Sequence, residues 1–212
     1  MRRRGVLHCS VALLALLAQG CALAADAPRV VLVLGDSLSA EYGLARGTGW
    51  VALLAERIAQ QKLAVKVINA SVSGDTTSGG RSRLGALLGQ HRPTHVVIEL
   101  GGNDALRGLP LAMTRDNLGA MARAAKTAGA KVMLVGMQVP PNYGARYGQD
   151  FAASFASVAK AEGAALVPFL LAGVADAPQA ETWFQPDRIH PLAKAHPRML
   201  DNVWVVMKPW LK

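Results

Sequence analysis

Residues 30–38 have the sequence VVLVLGDSL, an apolar run that ends in Gly-Asp-Ser-Leu. Such a continuous apolar run is typical of a strand buried on both faces of a parallel sheet. Two further runs end in the same way: residues 65–68 lead to SVSGD at 71–75, and residues 96–100 lead to GGND at 101–104. The segments that leave the carboxyl ends of parallel strands meet at one edge of the sheet, where ligands bind. The sequence therefore predicts that these polar motifs lie together.

Apolar runs of strand length alternate with longer amphipathic segments through the rest of the chain. This alternation is typical of a parallel sheet with helices on both faces. It predicts five strands in one three-layer α/β/α sandwich. The spacing of apolar residues predicts helices that begin near residues 50, 78, 114, 151 and 191. We expect Thr48 to cap the first helix and Pro197 to interrupt or kink the last.

The first 24 residues have the pattern of a secretory signal peptide. A basic start, MRRR, precedes a short apolar core at residues 11–18 and the sequence ALA at 22–24. The core is shorter than the roughly 20 residues of a membrane-spanning helix, and a buried N-terminal helix is the alternative. After cleavage at Ala24, we expect residues 25–212 to form one domain, located in the periplasm or secreted.

Cleavage would also change the charge and the cysteine content. It removes three of 23 basic residues and none of the 14 acidic ones, which lowers the net charge from +9 to +6. It removes Cys9 and Cys21 as well, so no disulfide or cysteine-ligated zinc is expected, while lipidation of Cys21 is left open. The remaining charge favours anionic substrates or transient contact with a membrane surface. No run of five basic residues is present, so we do not expect a nucleic-acid partner. We expect a monomer that acts on a small molecule.

A serine, a histidine and an aspartate follow predicted strands and are candidates for catalysis. Ser37 lies within Gly-Asp-Ser-Leu, at the predicted ligand-binding edge. Attack by a hydroxyl needs a base that accepts a proton near neutral pH, which is the chemistry of histidine. Of the four histidines after the signal peptide, only His190 lies after a strand and before a helix, and Asp187 precedes it by three residues. Singly, such residues are more often structural, so the inference depends on their combination.

Gly74 and Asn103 are candidates for the N–H donors that a tetrahedral oxyanion requires. Gly74 lets the backbone approach a substrate closely, and Asn103 offers a side-chain amide after two glycines. Each by itself is more often turn chemistry. Glu99 lies inside an apolar strand, where we expect a structural role in bonding nearby loop groups. The apolar loop at 105–111 either covers an acyl chain or packs as an ordinary loop.

Four motifs of the chain together resemble the four blocks of the SGNH, or GDSL, hydrolase superfamily. They are GDSLS at 35–39, Gly74, GGND at 101–104 and DRIH at 187–190. Longer stretches at 69–76, 99–108 and 141–147 resemble the bacterial thioesterase I, lysophospholipase and arylesterase group within it. The resemblance covers essentially the whole mature chain.

This resemblance implies the flavodoxin-like fold of the SGNH hydrolases and a serine esterase without a metal or organic cofactor. It implies that Ser37 is the nucleophile, His190 the general base and Asp187 the acid that orients the base. The oxyanion hole would consist of the Ser37 and Gly74 backbone N–H groups and the Asn103 side chain. The implied substrates are aryl esters, acyl thioesters and lysophospholipids.

Glu41 departs from the family pattern, because many relatives carry a small residue at this place. A carboxylate near the site would disfavour anionic substrates and favour a protonated His190. The alternative is that Glu41 points to solvent.

Two other functions are left open by the sequence. A carbohydrate O-deacetylase of the same superfamily would lose activity sharply as the acyl chain grows. A non-catalytic module that binds a ligand on a flavodoxin-like scaffold is permitted by the fold alone, and the coincidence of nucleophile, base, acid and oxyanion donors argues against it.

Overall fold

The computed structural model describes residues 29–211, and the predicted signal peptide at 1–24 lies outside them. Within the described residues, five parallel strands form one sheet in the order β2-β1-β3-β4-β5. The strands are β1 (Arg29–Gly35), β2 (Val65–Asn69), β3 (His95–Glu99), β4 (Lys131–Val135) and β5 (Ala165–Val167). The α-helices are α1 (Trp50–Gln60), α2 (Thr77–His91), α3 (Gly102–Leu106), α4 (Leu111–Thr127), α5 (Ala145–Glu162) and α6 (His196–Trp210). The predicted five-stranded parallel sheet is confirmed.

The sheet is buried between two layers of helices. Helix α1 packs against α6 in one layer, and α4 packs against both α2 and α5 in the other. Every residue of β3 is buried, and β1 is buried from Val31 to Gly35. Because both faces of these strands are covered, they are continuous apolar runs in the sequence rather than alternating ones.

The order of the strands places the segment after β1 at the centre of the functional edge. Strand β1 lies between β2 and β3, and Gly35 at its end is paired with Glu99 at the end of β3. The polar segments after β1, β2 and β3 therefore leave the sheet side by side. Strand β5 lies at the far end, so the chain after it must cross back toward β1. This crossing includes a 3₁₀ turn, Ala180–Trp183, and an antiparallel bridge between Phe184 and Pro191.

The predicted cap of α1 is wrong. Gly49 occupies the cap position, and the Thr48 hydroxyl instead donates to the Ala45 carbonyl at 2.7 Å. The Trp50 N–H donates to Nδ1 of His196 at 3.0 Å. Burial lowers the pKa of His196 to about 4, so the ring is neutral and this nitrogen can accept a hydrogen bond. Because the two residues are 146 positions apart, no local pattern could reveal this cap.

The predicted kink at Pro197 is also wrong. Helix α6 begins at His196, so Pro197 lies in its first turn. Proline has no backbone N–H, but no helical hydrogen bond is lost at this position, because the first N–H groups of a helix have no acceptor within it. The residues after Pro191 form a separate 3₁₀ turn, Ala193–Ala195, and not the start of the helix.

Two helices begin earlier than predicted, and one was not predicted. Helix α4 begins at Leu111 and not at 114, and α5 begins at Ala145 and not at 151. Helix α3 begins within the GGND motif and includes the first two residues of the predicted apolar loop at 105–111. A distant contact fixes it, because the Asp104 carboxylate accepts hydrogen bonds from the N–H and the hydroxyl of Thr77 at the start of α2.

None of the helices between residues 29 and 211 combines the length and the apolar character that crossing a membrane requires.

Candidate active site

Ser37, His190 and Asp187 form one hydrogen-bonded line. Ser37 follows β1 by two residues, and its Oγ lies 2.8 Å from Nε2 of His190. The other ring nitrogen, Nδ1, lies 2.7 Å from Oδ2 of Asp187. The serine and the histidine are 153 positions apart in the sequence. The structure thus brings together the hydroxyl, the imidazole and the carboxylate that the sequence singled out.

The turn that carries Asp187 and His190 is held by its own hydrogen bonds. Oδ1 of Asp187 accepts from the N–H groups of Ile189 at 2.9 Å and His190 at 3.0 Å. The Gln185 N–H donates to the His190 carbonyl at 2.8 Å. Burial raises the pKa of Asp187, but the hydrogen bonds from His190 and Ile189 outweigh it and lower the pKa to about 2. Asp187 is therefore ionised at neutral pH and fixes the ring with Nδ1 protonated, which leaves Nε2 to accept the serine proton.

Tyr42 packs on the ring of His190, a contact that sequence reasoning missed. The two ring centroids are 4.3 Å apart, and the planes are inclined by 38°. Nε2 of Gln185 donates to the Tyr42 carbonyl at 2.9 Å, which ties the loop after Ser37 to the turn before His190. An aromatic residue five positions after the serine was the available signal, but the sequence does not reveal its partner.

Gly74 and Asn103 follow the two strands that lie on either side of β1, the strand that leads to Ser37. Gly74 follows β2, has φ = +77°, and its carbonyl accepts from Nη2 of Arg107 at 2.8 Å. Asn103 follows β3 as the second residue of α3. Because β1 lies between these strands, donors after β2 and β3 flank the serine. This is the arrangement that an oxyanion hole requires.

Two buried acids, Asp36 and Glu99, form a hydrogen-bonded group with Ser39 next to Ser37. Oε2 of Glu99 accepts from the Ser39 hydroxyl at 2.7 Å and from the Asp36 N–H at 3.4 Å. The Ser39 hydroxyl in turn accepts from Nε1 of Trp50 at 3.1 Å. Burial raises the pKa of Asp36 to about 6 and that of Glu99 well above its ordinary value. Glu99 thus bonds groups of the loop after β1, which is the structural role expected from the sequence.

Glu41 follows neither of the two alternatives expected for it. Its carboxylate accepts from the Gly49 N–H at 2.8 Å and from the Gly47 N–H at 3.0 Å. These bonds direct it to the backbone of its own loop, and not to His190 or to open solvent. Within residues 29–211 the N–H groups of Gly47 and Gly49 have no other acceptor, which explains why an acid is present at position 41.

Between residues 29 and 211, no group of three or more histidine, cysteine, aspartate or glutamate side chains is arranged to hold a metal ion.

Comparison with known proteins assigns the chain to a family. A model of the GDSL-like Lipase/Acylhydrolase family matches residues 33–198, a span that contains every candidate site residue. The chain belongs to this family. Among its members, esterase TesA of Pseudomonas aeruginosa is 50% identical over 185 residues, which cover 87% of this chain and 90% of that protein. The thioesterase 1/protease 1/lysophospholipase L1 of Escherichia coli strain K12 is 41% identical over 185 residues, which cover 87% of this chain and 86% of that protein.

The solved structure of an esterase supports the same assignment. The crystal structure of the psychrotrophic esterase EstA from Pseudoalteromonas sp., inhibited by monoethylphosphonate, has a TM-score of 0.81 and 40% sequence identity. The match covers 86% of this chain and 98% of that one. The predicted family, the SGNH-hydrolase fold and the serine esterase activity are confirmed by these comparisons. The roles of individual residues stay predictions.

Proposed function

We propose that this GDSL esterase hydrolyses carboxylic esters and thioesters through a covalent acyl-enzyme on Ser37. The observation that carries the assignment of roles is the hydrogen-bonded line from Ser37 Oγ through the His190 ring to Asp187, with distances of 2.8 Å and 2.7 Å. A serine hydroxyl is a weak nucleophile by itself and needs an oriented base within this range. The line supplies both the base and the group that orients it.

The reaction follows from this geometry in two half-reactions. Ser37 Oγ attacks the substrate carbonyl while Nε2 of His190 takes its proton, and the Asp187 carboxylate stabilises the imidazolium that forms. The intermediate collapses, the carbon–oxygen or carbon–sulfur bond breaks, and His190 gives the proton to the departing alkoxide or thiolate. Water then attacks the acyl-enzyme with His190 again as base. The carboxylic acid leaves, and the proton returns to Ser37.

In each half-reaction the carbonyl oxygen becomes negatively charged. We propose that the backbone N–H groups of Ser37 and Gly74 and the side-chain N–H of Asn103 bind it. Support comes from the positions of Gly74 and Asn103 after the two strands that flank β1. Such fixed donors are effective because they are already oriented before the charge develops.

The proposed substrates are aryl esters, acyl thioesters and lysophospholipids. The names of the relatives, esterase for one and thioesterase and lysophospholipase for the other, support this range. Exposed apolar side chains on the segments around Ser37 support an acyl group as the recognised part: Tyr42, Val72, Leu106 and Ile189. Large exposed apolar side chains on the segments that form a site favour an apolar ligand.

We propose further that the chain acts in the periplasm or is secreted. Support comes from the basic start, the apolar core and the ALA sequence of the first 24 residues. In that location acyl-CoA is not readily available, so the physiological acyl donor would be another ester or thioester.

A panel of 4-nitrophenyl esters and acyl thioesters from acetyl to palmitoyl, with a lysophospholipid, tests the proposal. Parental protein should hydrolyse several of them, and Ser37→Ala should hydrolyse none above about 10⁻⁴ of the parental rate. Ser73→Ala, which removes an exposed hydroxyl at the same edge, is the matched control and should keep the parental rate. Activity that falls sharply as the acyl chain grows beyond acetyl would favour the deacetylase alternative instead.

A further inference from the structure

Asp36, the residue before the proposed nucleophile, connects two parts of the site. Its side chain is buried, with a relative exposure of 2%. Oδ1 accepts from the Leu38 N–H at 3.0 Å, across the turn that holds Ser37. Oδ2 accepts from Nδ2 of Asn103 at 3.0 Å. One carboxylate therefore joins the nucleophile turn to the start of α3.

The chemistry of a carboxylate decides which end of the Asn103 amide faces it. An ionised carboxylate only accepts hydrogen bonds, so the NH2 group must point to Asp36 and the carbonyl oxygen must point away. One N–H is then used by Asp36, and the second N–H has no acceptor among residues 29–211. A reversed amide would present its carbonyl oxygen to the substrate, where it would repel a developing oxyanion.

We propose that Asp36 is a positioning residue for ester hydrolysis: its carboxylate fixes the orientation of the Asn103 amide so that an N–H and not the carbonyl oxygen faces the oxyanion. This inference depends on the proposed role of Asn103 as an oxyanion donor. Asp36 acts through Asn103 and does not itself touch the substrate.

The surroundings of Asp36 support this role. The Asp36 N–H donates to Oε2 of Glu99 at 3.4 Å, which anchors its backbone to β3. Burial raises the pKa of Asp36 to about 6, although the hydrogen bonds from Leu38 and Asn103 oppose this shift. At pH 7 and above Asp36 is therefore mostly ionised and accepts only. The charges that face it are Glu99, His190 and Asp75, of which His190 lowers its pKa and Asp75 raises it.

A double-mutant cycle tests the proposal, with kcat and KM measured on a 4-nitrophenyl ester. Asp36→Asn keeps a carbonyl oxygen for the Leu38 N–H, but it places an NH2 group against the NH2 group of Asn103. We expect it to lower kcat about 10- to 100-fold, the cost of a hydrogen bond to a charged group, with little change in KM. Asn103→Ala should lower kcat about 100- to 1000-fold. The double variant should be within about twofold of Asn103→Ala, because Asp36 has nothing left to orient.

Asp75→Asn is the matched control for the loss of a nearby negative charge. The Asp75 carboxylate accepts a hydrogen bond from Nε of Arg83 at 2.8 Å and none from Asn103. The kcat of Asp75→Asn should therefore stay within about threefold of the parental value. If the losses of Asp36→Asn and Asn103→Ala multiply in the double variant, or if Asp36→Asn keeps the parental kcat, the inference is overturned. A parental kcat in Asn103→Ala would instead contradict the proposed oxyanion hole, and this inference with it.

A second measurement needs no substitution at Asp36. The side-chain NH2 signals of Asn103, assigned by their loss in Asn103→Ala, are followed by NMR from pH 4.5 to 7.5. The background is His190→Ala, which removes the imidazole that lowers the pKa of Asp36. We expect these signals to shift with the same midpoint as the side-chain carboxyl ¹³C signal of Asp36. If the chemical shifts of the Asn103 NH2 group do not change as Asp36 titrates, the inference is overturned, even if Asp36→Asn fails to fold.

Discussion

Asp36 and Asp187, which precede the proposed nucleophile Ser37 and bond its histidine partner respectively, are the same residue type in opposite environments. Burial raises the pKa of Asp187, but hydrogen bonds from His190 and Ile189 lower it to about 2. Burial likewise raises the pKa of Asp36, and there it prevails and brings the pKa to about 6. Asp187 lies in an exposed turn and keeps a permanent charge, whereas Asp36 is enclosed beneath the serine. The comparison teaches that hydrogen bonding and burial, and not residue type, decide which of the two carboxylates stays ionised at acidic pH.

The largest expected effect comes from the exposed turn. In Asp187→Asn the amide oxygen would accept the N–H groups of Ile189 and His190, as Oδ1 does in the parental protein, and the NH2 group would donate to Nδ1 of His190. A donor at Nδ1 favours the tautomer with Nε2 protonated. That nitrogen can then no longer accept the Ser37 proton, and kcat should fall about 10³- to 10⁴-fold. The check is kcat on an aryl ester, with circular dichroism to show that the fold is intact.

Asp176→Asn is the matched control for this prediction. Asp176 also accepts a backbone N–H within its own turn, from Gly173, but it has no hydrogen bond to His190. Its kcat should equal the parental value. A kcat for Asp187→Asn within tenfold of the parental one would show that the exposed charge is not needed.

A smaller effect should appear in the pH dependence of stability, with opposite signs for the two aspartates. Folded Asp36 has a pKa of about 6 and the free side chain has 3.8. From about pH 4 to 6 the folded state binds the extra proton, and the free energy of unfolding falls as pH rises. Folded Asp187 has a pKa of about 2. The stability from Asp187 is present above pH 4 and is lost as pH falls toward 2.

Urea denaturation from pH 2 to 7 checks these signs. Asp36→Asn should reduce the decline in the free energy of unfolding between pH 4 and 6 by an amount on the order of 1 kcal/mol. A smaller decline should remain in this variant, because the pKa of Glu99 is also raised by burial. Asp187→Asn should reduce only the loss below pH 4. Parental slopes in both variants would mean that the environments of the two acids do not differ as the structure indicates.

The smallest expected effect concerns Tyr42, which packs on His190 at 4.3 Å between ring centroids. Tyr42→Ala removes this support and should lower kcat about 2- to 10-fold, the value of an aromatic contact. Tyr42→Phe keeps the ring and should retain the parental kcat. An equal loss in the alanine and phenylalanine variants would assign the effect to the hydroxyl and not to ring packing.

The sequence predicts best what local patterns determine. The five strands are recognisable because burial on both faces makes them continuous apolar runs, and Asp187 and His190 are recognisable because they are only three positions apart. The missed features depend on contacts between distant residues. The Trp50 N–H is capped by His196, and Asp36 bonds Asn103 from 67 positions away. The packing of α1 on α6 brings the first pair together, and the neighbouring positions of β1 and β3 bring the second together. Neither arrangement can be predicted from the spacing of residues along the chain.

The central claim, that the line from Asp187 through His190 activates Ser37, is tested most directly by labelling with an aryl organophosphonate. Intact mass and peptide mapping should show one phosphonyl group, attached to Ser37, with loss of activity proportional to labelling. Ser37→Ala should remain unlabelled, and Asp187→Asn should react much more slowly than the parental protein. Labelling at a different residue, or full activity in a protein fully labelled at Ser37, would contradict the account.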